Sequence, residues 1–227
     1  MSKLYIIATP IGNLEDITLR AIRTLKEVDL VLCEDTRTTH TLLKKYEITT
    51  KTMSYHTHSK EGKHDKILNL LEEGKNLALV SDAGTPAISD PGMLLVSQVR
   101  EKFGDTVSIV PIPGPSALVS LISISGFSAM PFTFLGFVPH KKGRETFFNT
   151  ILEIEHMTAF YESPHRILKT LESLARILPP ERTVFIGREL TKLFEQTIEG
   201  DAEKVLAYFT ENPDKIRGEF AIAVKGI

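Results

Sequence analysis

The apolar residues of the first half of the chain alternate between short runs and segments with helical spacing. LYIIAT (Leu4–Thr9), VDLVLC (Val28–Cys33) and NLALVS (Asn76–Ser81) predict buried strands, because they are brief, apolar and rich in branched residues. Between such runs, apolar residues recur three and four positions apart, which is typical of helices. Strands separated by helices predict a mostly parallel sheet covered on both faces.

The pattern changes in the second half. MPFTFLGFVP (Met130–Pro139) alternates aromatic residues, and MTAFYES (Met157–Ser163) predicts another strand. After Pro179, three strand-like runs share a single helix at Ala202–Tyr208, and this order favours a mixed, partly antiparallel sheet.

The two patterns together predict two α/β domains with a cleft between them. We place the first domain at residues 1–115 and the second at residues 116–227. Ligands of open parallel sheets bind beyond the carboxyl ends of the strands, so we expect a site at that edge of the first sheet.

Composition excludes several classes of protein. Hydrophobic residues make up 42% of the 227 and charged residues 25%, which is ordinary for a soluble globular protein. The apolar runs are shorter than the roughly 18 residues of a membrane span, and the first residues do not form a signal peptide. The single cysteine, Cys33, cannot form an internal disulfide and is expected to pack in the core, so we expect a cytoplasmic protein without membrane contact. The net charge of −2 argues against a surface that binds nucleic acid everywhere, and leaves room for a local basic face.

Three loops of unusual composition leave strands at the predicted edge. They are TPIGNLED (Thr9–Asp16), SDAGTPAISDPG (Ser81–Gly92) and PIPGPSA (Pro111–Ala117). Each alone is more typical of a tight turn, but three at one edge favour a binding site. None carries lysine or arginine, and neither the P-loop motif nor the dinucleotide-binding fingerprint is present. The loops therefore favour a ligand without phosphates, such as a nucleoside with a positive centre.

Six motifs, taken in order, identify a family by resemblance. TPIGNLEDIT, LCEDTRTTHTLL, VSDAGTPAISDPG, PIPGPSA, FYESPHR and GEFAIAVKG resemble the ribosomal RNA small-subunit methyltransferase I branch of the tetrapyrrole methylase superfamily. The resemblance covers nearly the whole chain. It implies S-adenosylmethionine as cofactor, a homodimer, and 2′-O-methylation of a cytidine ribose in the decoding centre of 16S rRNA, within the small ribosomal subunit.

The resemblance also implies which residues line the cofactor pocket. These are Pro10, Ile11 and Gly12 in the first loop, Asp82, Ala83, Gly84, Thr85 and Pro86 in the second, Ser116 and Ala117 at the start of a helix, Tyr161 and Glu162 after the second-domain strand, and Ala221 in the last strand. Asp82 has a physical rationale as well, because a carboxylate favours the cofactor's ammonium or its cationic sulfonium.

Three carboxyl groups are candidates for the base that takes the ribose proton: Glu34, Asp35 and Glu162. Capping of the following helix by Asp35 or Thr36 is an equally good interpretation of the first pair. In YESPHR, Ser163 could cap a helix with Pro164 at its first position, and this interpretation is compatible with a role for Glu162. His165 is a less favoured base.

Five basic residues are candidates for RNA contact: Arg37, Lys141, Lys142, Arg144 and Arg166. The HKKGR segment is the densest basic cluster of the chain. It either forms a solvated turn or binds phosphates, and the sequence does not decide between the two.

The sequence also contains a feature typical of metal sites, and the function has alternatives. His56 and His58, with His40 and His64 nearby, have a spacing found in metal sites, but no cysteine or carboxylate completes the set, so no metal is expected. The functional alternatives are a methyltransferase of the same superfamily acting on a tetrapyrrole, another small molecule or a protein, and a non-catalytic cofactor-binding module for ribosome assembly.

Overall fold

The computed structural model describes residues 1–56, 61–90 and 92–227, with the backbone alone at residue 61. The chain divides into two compact units, Met1–Ser116 and Ala117–Ile227. Each unit contains a five-stranded sheet. The prediction of two α/β domains, one with a parallel and one with a mixed sheet, is confirmed.

The first unit is built on a parallel sheet. Its elements are β1 (Ser2–Ile7), α1 (Leu19–Glu27), β2 (Leu30–Cys33), α2 (Thr36–Lys45), β3 (Thr52–Ser54), α3 (Glu61–Glu72), β4 (Leu77–Val80), α4 (Met93–Phe103) and β5 (Val107–Ile112). The strand order is β3-β2-β4-β1-β5, and the pairings of neighbouring strands are parallel.

Helices cover both faces of this sheet. Val31 and Leu32 are consecutive in β2, yet Val31 packs with Ala21 of α1 in one buried cluster and Leu32 with Ile67 of α3 in another. Every residue of the central strand β4 is buried, which explains why its sequence is a continuous apolar run. Cys33 is buried at the end of β2, as predicted for a core residue.

The second unit is built on a mixed sheet. Its elements are α5 (Ala117–Ser125), β6 (Phe132–Phe137), α6 (Arg144–Glu153), β7 (Met157–Glu162), α7 (Ile167–Ile177), β8 (Val184–Arg188), β9 (Gln196–Gly200), α8 (Ala202–Glu211) and β10 (Phe220–Val224). The strand order is β6-β7-β10-β8-β9, with β6 and β7 parallel and the other pairs antiparallel. The main core of the unit joins α6, α7 and α8 to one face of the sheet.

Element bounds follow the predicted pattern to within a few residues. The strands predicted from LYIIAT, VDLVLC and NLALVS are β1, β2 and β4. Helix α8 was predicted to end at Tyr208 but continues to Glu211, because Asn212 and Pro213 stop it. Along the described parts of the chain, the helices are all too short or too polar to cross a bilayer.

Candidate functional site

Hydrogen bonds join the three loops at the carboxyl edge of the parallel sheet. Strands β4, β1 and β5 are neighbours, so the loops that follow them meet. Thr9 and Gly84 form an isolated antiparallel bridge, with N···O distances of 2.9 and 3.0 Å. The Thr85 hydroxyl donates to the carbonyl of Pro115 at 3.4 Å. The structure thus brings together the loops that the sequence predicts to form the site.

The turn from Ser81 to Pro86 is held by hydroxyl groups. The Ser81 hydroxyl donates to the carbonyls of Ala83 and Gly84 at 3.2 and 3.3 Å, and the Thr9 hydroxyl donates to the Ser81 carbonyl at 3.1 Å. Gly84 has φ +77°, a left-handed conformation that favours glycine. Asp82 and Ala83 are exposed at the tip of the turn, so they are the part of it that a ligand would meet.

Three carboxyl groups lie at this turn: Asp82 belongs to it, and Glu34 and Asp90 are near it. Burial, followed by the negative charge of Glu34 and that of Asp82, raises the pKa of Asp90 to about 6. Burial, followed by the charge of Asp82, also raises the pKa of Glu34. Because burial and neighbouring negative charges raise the pKa of Asp90 and of Glu34, a positive charge placed beside these two groups would be stabilised. The three carboxyl groups therefore fit a cationic ligand, and Asp90 was not predicted from the sequence as one of them.

Asp35 is held by the helix that it precedes. Its carboxylate accepts a hydrogen bond from the Arg37 amide at 2.8 Å and so caps α2. It also pairs with the Arg37 guanidinium at 2.6 Å, and this hydrogen bond lowers the pKa of Asp35 to about 2. The capping interpretation is confirmed. The Asp35 amide donates to the Asp82 carboxylate at 3.0 Å, which links α2 to the turn.

Glu162 lies in a buried ionic network of the second unit. Its side chain is fully buried and accepts hydrogen bonds of 2.7 Å from the Arg166 guanidinium, the Thr170 hydroxyl and the Ser163 amide. The Arg144 guanidinium approaches the same carboxylate to 3.9 Å. Both oxygens of Glu162 already have partners, so the geometry argues against its proposed roles as base and as cofactor contact.

The same network engages two of the three arginines that were predicted to contact RNA. Arg144 donates to the Thr170 hydroxyl at 3.1 Å and lies over the Phe148 ring, and Arg166 donates to the Val138 carbonyl at 2.8 Å. Their side chains are only 13% and 18% exposed. The network accounts for both guanidinium groups without RNA, which leaves Arg37, Lys141 and Lys142 as the exposed candidates.

The predicted helix cap at Ser163 is wrong. Helix α7 begins at Ile167, and the three residues before it form a turn in which the Arg166 amide donates to the Ser163 carbonyl at 3.1 Å. The Ser163 hydroxyl accepts a hydrogen bond from the Arg166 side chain instead of capping backbone amides.

Three other predicted residues of the second unit lie close together. Tyr161 pairs with Ala221 in the register of β7 and β10. The Tyr161 hydroxyl accepts a hydrogen bond from the Leu118 amide, next to Ala117 at the start of α5. Ser116 is the last residue of the first unit.

The histidines do not form a described metal site. His40 approaches the Thr52 hydroxyl at 3.5 Å, and His64 pairs with Gln98 at 2.8 Å. His58 lies outside the described residues. Among the side chains that the structure does describe, no three His, Cys, Asp or Glu residues are grouped so that they could hold a metal ion.

Fold and candidate site together define a two-domain α/β protein with carboxyl groups gathered in the loops at the edge of a parallel sheet. The family model for tetrapyrrole (corrin/porphyrin) methylases matches residues 3–206. A solved structure of diphthine synthase covers 99% of this chain and 90% of its own, with a TM-score of 0.76 and 12% identity. At that identity the likeness shows the shared fold.

Two curated relatives are similar over the full chain, and each is named ribosomal RNA small subunit methyltransferase I. The protein of Synechocystis sp. is 44% identical over 227 residues, which are 100% of this chain and 80% of the relative. The protein of Thermotoga maritima is 43% identical over 226 residues, covering 100% of this chain and 99% of the relative. The chain therefore belongs to the tetrapyrrole methylase family and, within it, to the ribosomal RNA small subunit methyltransferase I branch.

Proposed function

We propose that this chain is an S-adenosylmethionine-dependent methyltransferase that acts on ribosomal RNA. The names of relatives that are 43% and 44% identical over the whole chain support the substrate class. The main support for this cofactor is the group of carboxyl side chains formed by Glu34, Asp82 and Asp90 at a turn with an exposed tip. These carboxyl groups favour a positively charged ligand, and S-adenosylmethionine is one. The finer proposal is methylation of the 2′-hydroxyl of a cytidine in the decoding centre of 16S rRNA, and it rests on the family resemblance.

The first unit would hold the cofactor with the loops after β1 and β4. The proposed contacts are Pro10, Ile11, Gly12, Asp82, Ala83, Gly84, Thr85 and Pro86. Asp82 is exposed at the tip of its turn and would bind the positive ammonium or sulfonium group. Ser116 is a further proposed contact. In the second unit we keep Ala117, Tyr161 and Ala221 as proposed contacts and reassign Glu162 to the ionic network.

The bound cofactor supplies a methyl group on a positively charged sulfur, which makes that carbon open to attack by an oxygen. Transfer of the methyl carbon to the ribose oxygen would break the carbon–sulfur bond and leave S-adenosylhomocysteine, and the hydroxyl would lose its proton, so a nearby base would assist. We propose Glu34 for this role, because burial and Asp82 raise its pKa and it remains partly exposed. Asp35 is a weaker base, since its carboxylate caps α2 and has a pKa of about 2.

Radiolabelled S-adenosylmethionine tests the proposed function directly. The purified chain is incubated with small ribosomal subunits, with naked 16S rRNA and with uroporphyrinogen, and each product is counted. We expect label in the RNA of one or both ribosomal substrates, and mapping of the modified nucleotide checks the cytidine 2′-hydroxyl. Label in uroporphyrinogen alone would favour a tetrapyrrole methyltransferase. Cofactor binding without transfer to any substrate would favour a ribosome-assembly module.

The setting of the reaction is also a proposal from the resemblance. We propose a cytoplasmic homodimer whose partner is 16S rRNA within the small ribosomal subunit. Light scattering at micromolar concentration should give twice the mass of the chain, and a monomer would contradict the dimer.

Asp82→Asn serves as the matched variant in the transfer assay, because it removes one negative charge from the tip of the turn with little change of shape.

A further inference from the structure

An irregular strand pairing places two aromatic rings on the same side of β6. Phe134 pairs with Ala159 of β7, but the next paired residue is Phe137, opposite Tyr161. Three steps along β6 therefore match two steps along β7, which is a bulge of one extra residue. Gly136 lies within the bulge with φ +70°, the left-handed conformation that favours glycine.

The bulge decides which face of the sheet carries Phe137. In a regular strand, residues 134 and 137 point to opposite faces, because side chains alternate. Here both rings meet Tyr161 edge to face, with centroid distances of 5.1 Å for Phe134 and 5.3 Å for Phe137. Val138, the next residue, is buried in the helix-covered core. A regular register would have sent the Phe137 ring toward that core.

The result is a phenyl ring that is exposed and yet supported. Phe137 is 52% exposed, although it is the last residue of a strand that runs beside a buried one. Its edge contact with Tyr161 limits its motion, and the Tyr161 ring is itself fixed through its hydrogen bond to the Leu118 amide. An exposed ring of this kind can offer a flat apolar face to another flat group at low entropic cost.

The positive charge near the Phe137 ring indicates which kind of flat group would contact it. Lys141 and Lys142 are exposed in the turn that follows β6, and four residues of chain reach at most about 14 Å. Aromatic rings next to lysines are the usual means by which proteins bind unpaired nucleotides, with the base stacked on the ring and the phosphates near the cations.

We propose that Phe137 stacks on a base of the RNA substrate while Lys141 and Lys142 bind the adjoining phosphates. The inference rests on the proposed function, because it assumes an RNA substrate, and it adds a residue that positions this substrate. Stacking through a π-face tolerates any base, so the ring would fix where a nucleotide lies and would not select its identity.

Substitution at Phe137 tests the inference by RNA affinity. The probe is a dye-labelled single-stranded RNA with the decoding-centre sequence, and binding is followed by anisotropy. Phe137→Ala should weaken binding about 5- to 150-fold, and Phe137→Tyr should stay within about 2-fold of the parent chain. The matched control is Phe194→Ala, which removes a ring that is 67% exposed in the connection between β8 and β9. Circular dichroism checks that each variant is folded.

A single tryptophan gives a second, independent readout. The chain contains no tryptophan, so Phe137→Trp introduces the only indole. Its emission should be quenched as the unlabelled RNA saturates the protein, and the indole of Phe194→Trp should keep its emission. Unchanged emission during RNA binding that anisotropy confirms would overturn the stacking proposal and leave the proposed function intact.

Two further results of the tryptophan experiment would count against stacking on RNA. Quenching by S-adenosylhomocysteine without RNA would place the ring at the cofactor, and emission that depends on protein concentration alone would place it against a second copy of the chain. Either result overturns the proposal. If the parent chain binds neither this RNA nor small ribosomal subunits, the proposed function fails and the stacking proposal fails with it.

Discussion

The hydroxyl of Tyr161 accepts a hydrogen bond from the backbone amide of Leu118, with 3.0 Å between oxygen and nitrogen. Leu118 is the second residue of α5, and the amides of a first turn have no carbonyl partner within their own helix. A phenol from the neighbouring strand β7 therefore serves as a cap for this helix. The contact fixes the ring that also meets Phe134 and Phe137.

Tyr161→Phe should lower the free energy of unfolding by about 1 kcal/mol, because it removes the hydroxyl and leaves the Leu118 amide without this acceptor. Urea unfolding measures the change. Tyr161→Leu should cost more, since the edge contacts with Phe134 and Phe137 are then lost as well. Equal stability of Tyr161→Phe and the parent chain would show that the cap contributes nothing.

Glu162→Gln should destabilise the second unit strongly. The change removes the charge that the buried Arg166 and Arg144 side chains face, and an unpaired buried charge costs about 3 kcal/mol or more. Urea unfolding measures this, and Glu199→Gln on the exposed side of β9 is the control, with an expected change within about 0.5 kcal/mol. If Glu162→Gln is as stable as the parent chain but has lost methyl transfer, Glu162 is a catalytic group after all.

Asp90 should make the protein less stable as the pH rises from about 4 to about 6. Its pKa is raised to about 6 in the folded chain against an ordinary 3.8, so the folded state binds the proton more tightly across this range. Asp90→Asn cannot ionise and should therefore be more stable than the parent chain at pH 7, by about 1–2 kcal/mol after allowance for partial exposure. The difference should vanish near pH 4.

Urea unfolding at four pH values between 4 and 7 checks the Asp90 prediction. In a Glu34→Gln background the pH dependence due to Asp90 should move to lower pH, because the second largest cause of its raised pKa has been removed. A stability difference between Asp90→Asn and the parent chain that is the same at pH 4 and pH 7 would contradict the assignment.

Gly84→Ala should weaken cofactor binding through the conformation of its turn. An added Cβ would meet Ile11 at 3.6 Å, an ordinary contact, so the strain comes from φ +77° and amounts to about 1 kcal/mol. Relief of that strain would disturb the bridge to Thr9. Calorimetry with S-adenosylmethionine should show an affinity loss of about 5-fold.

Gly126→Ala is the matched control for Gly84→Ala. Gly126 has φ +68° and open space around its Cβ position, so it carries the same strain without touching the turn. It should lose similar stability and bind the cofactor like the parent chain. Full affinity in a folded Gly84→Ala protein would remove the turn from the cofactor site.

Lys141→Glu with Lys142→Glu should weaken RNA binding and flatten its dependence on salt. Each phosphate contact that is lost should reduce the slope of log affinity against log salt by about 0.7 for single strands. Arg144 is left unchanged, because its role in the Glu162 network would confuse stability with binding. Affinity for the cofactor should be unaltered, since S-adenosylmethionine contains no phosphate.

The control for the lysine pair is a second adjacent pair on the surface. Lys44→Glu with Lys45→Glu makes the same charge change at the end of α2, from −2 to −6 for the whole chain. If both double variants bind RNA equally well across a salt series, the segment after β6 is a solvated turn. The search would then move to Arg37, whose side chain is 89% exposed.

The sequence predicted the parallel sheet well because its strands are buried on both faces. Such strands are short apolar runs, and β4 is an unbroken one. Loops rich in glycine and proline after β1, β4 and β5 were equally visible, and parallel topology then requires them to meet. The pattern could not show which carboxyl groups of these loops are shielded from solvent, and Asp90, in the loop after β4, was missed for that reason.

The ionic network around Glu162 could not be predicted from the sequence. A glutamate followed by an arginine at a strand end is compatible with a catalytic acid and an RNA contact, and equally with a buried pair. Burial decides between them, and burial of Glu162 at the end of β7 depends on Thr170 of α7 and Arg144 of α6. The bulge at Gly136 was also missed, although the aromatic spacing of β6 lengthens there from two residues, Phe132 to Phe134, to three, Phe134 to Phe137.

The two-bond bridge between Thr9 and Gly84 has a consequence for ligand affinity. A loop that must become ordered when a ligand arrives subtracts the entropy of ordering from the binding free energy. Here the turn after β4 is already joined to the loop after β1 by backbone hydrogen bonds and by the Thr9 and Ser81 hydroxyls. The proposed cofactor surface is therefore preorganised, so little ordering of these loops would be subtracted from the free energy of binding.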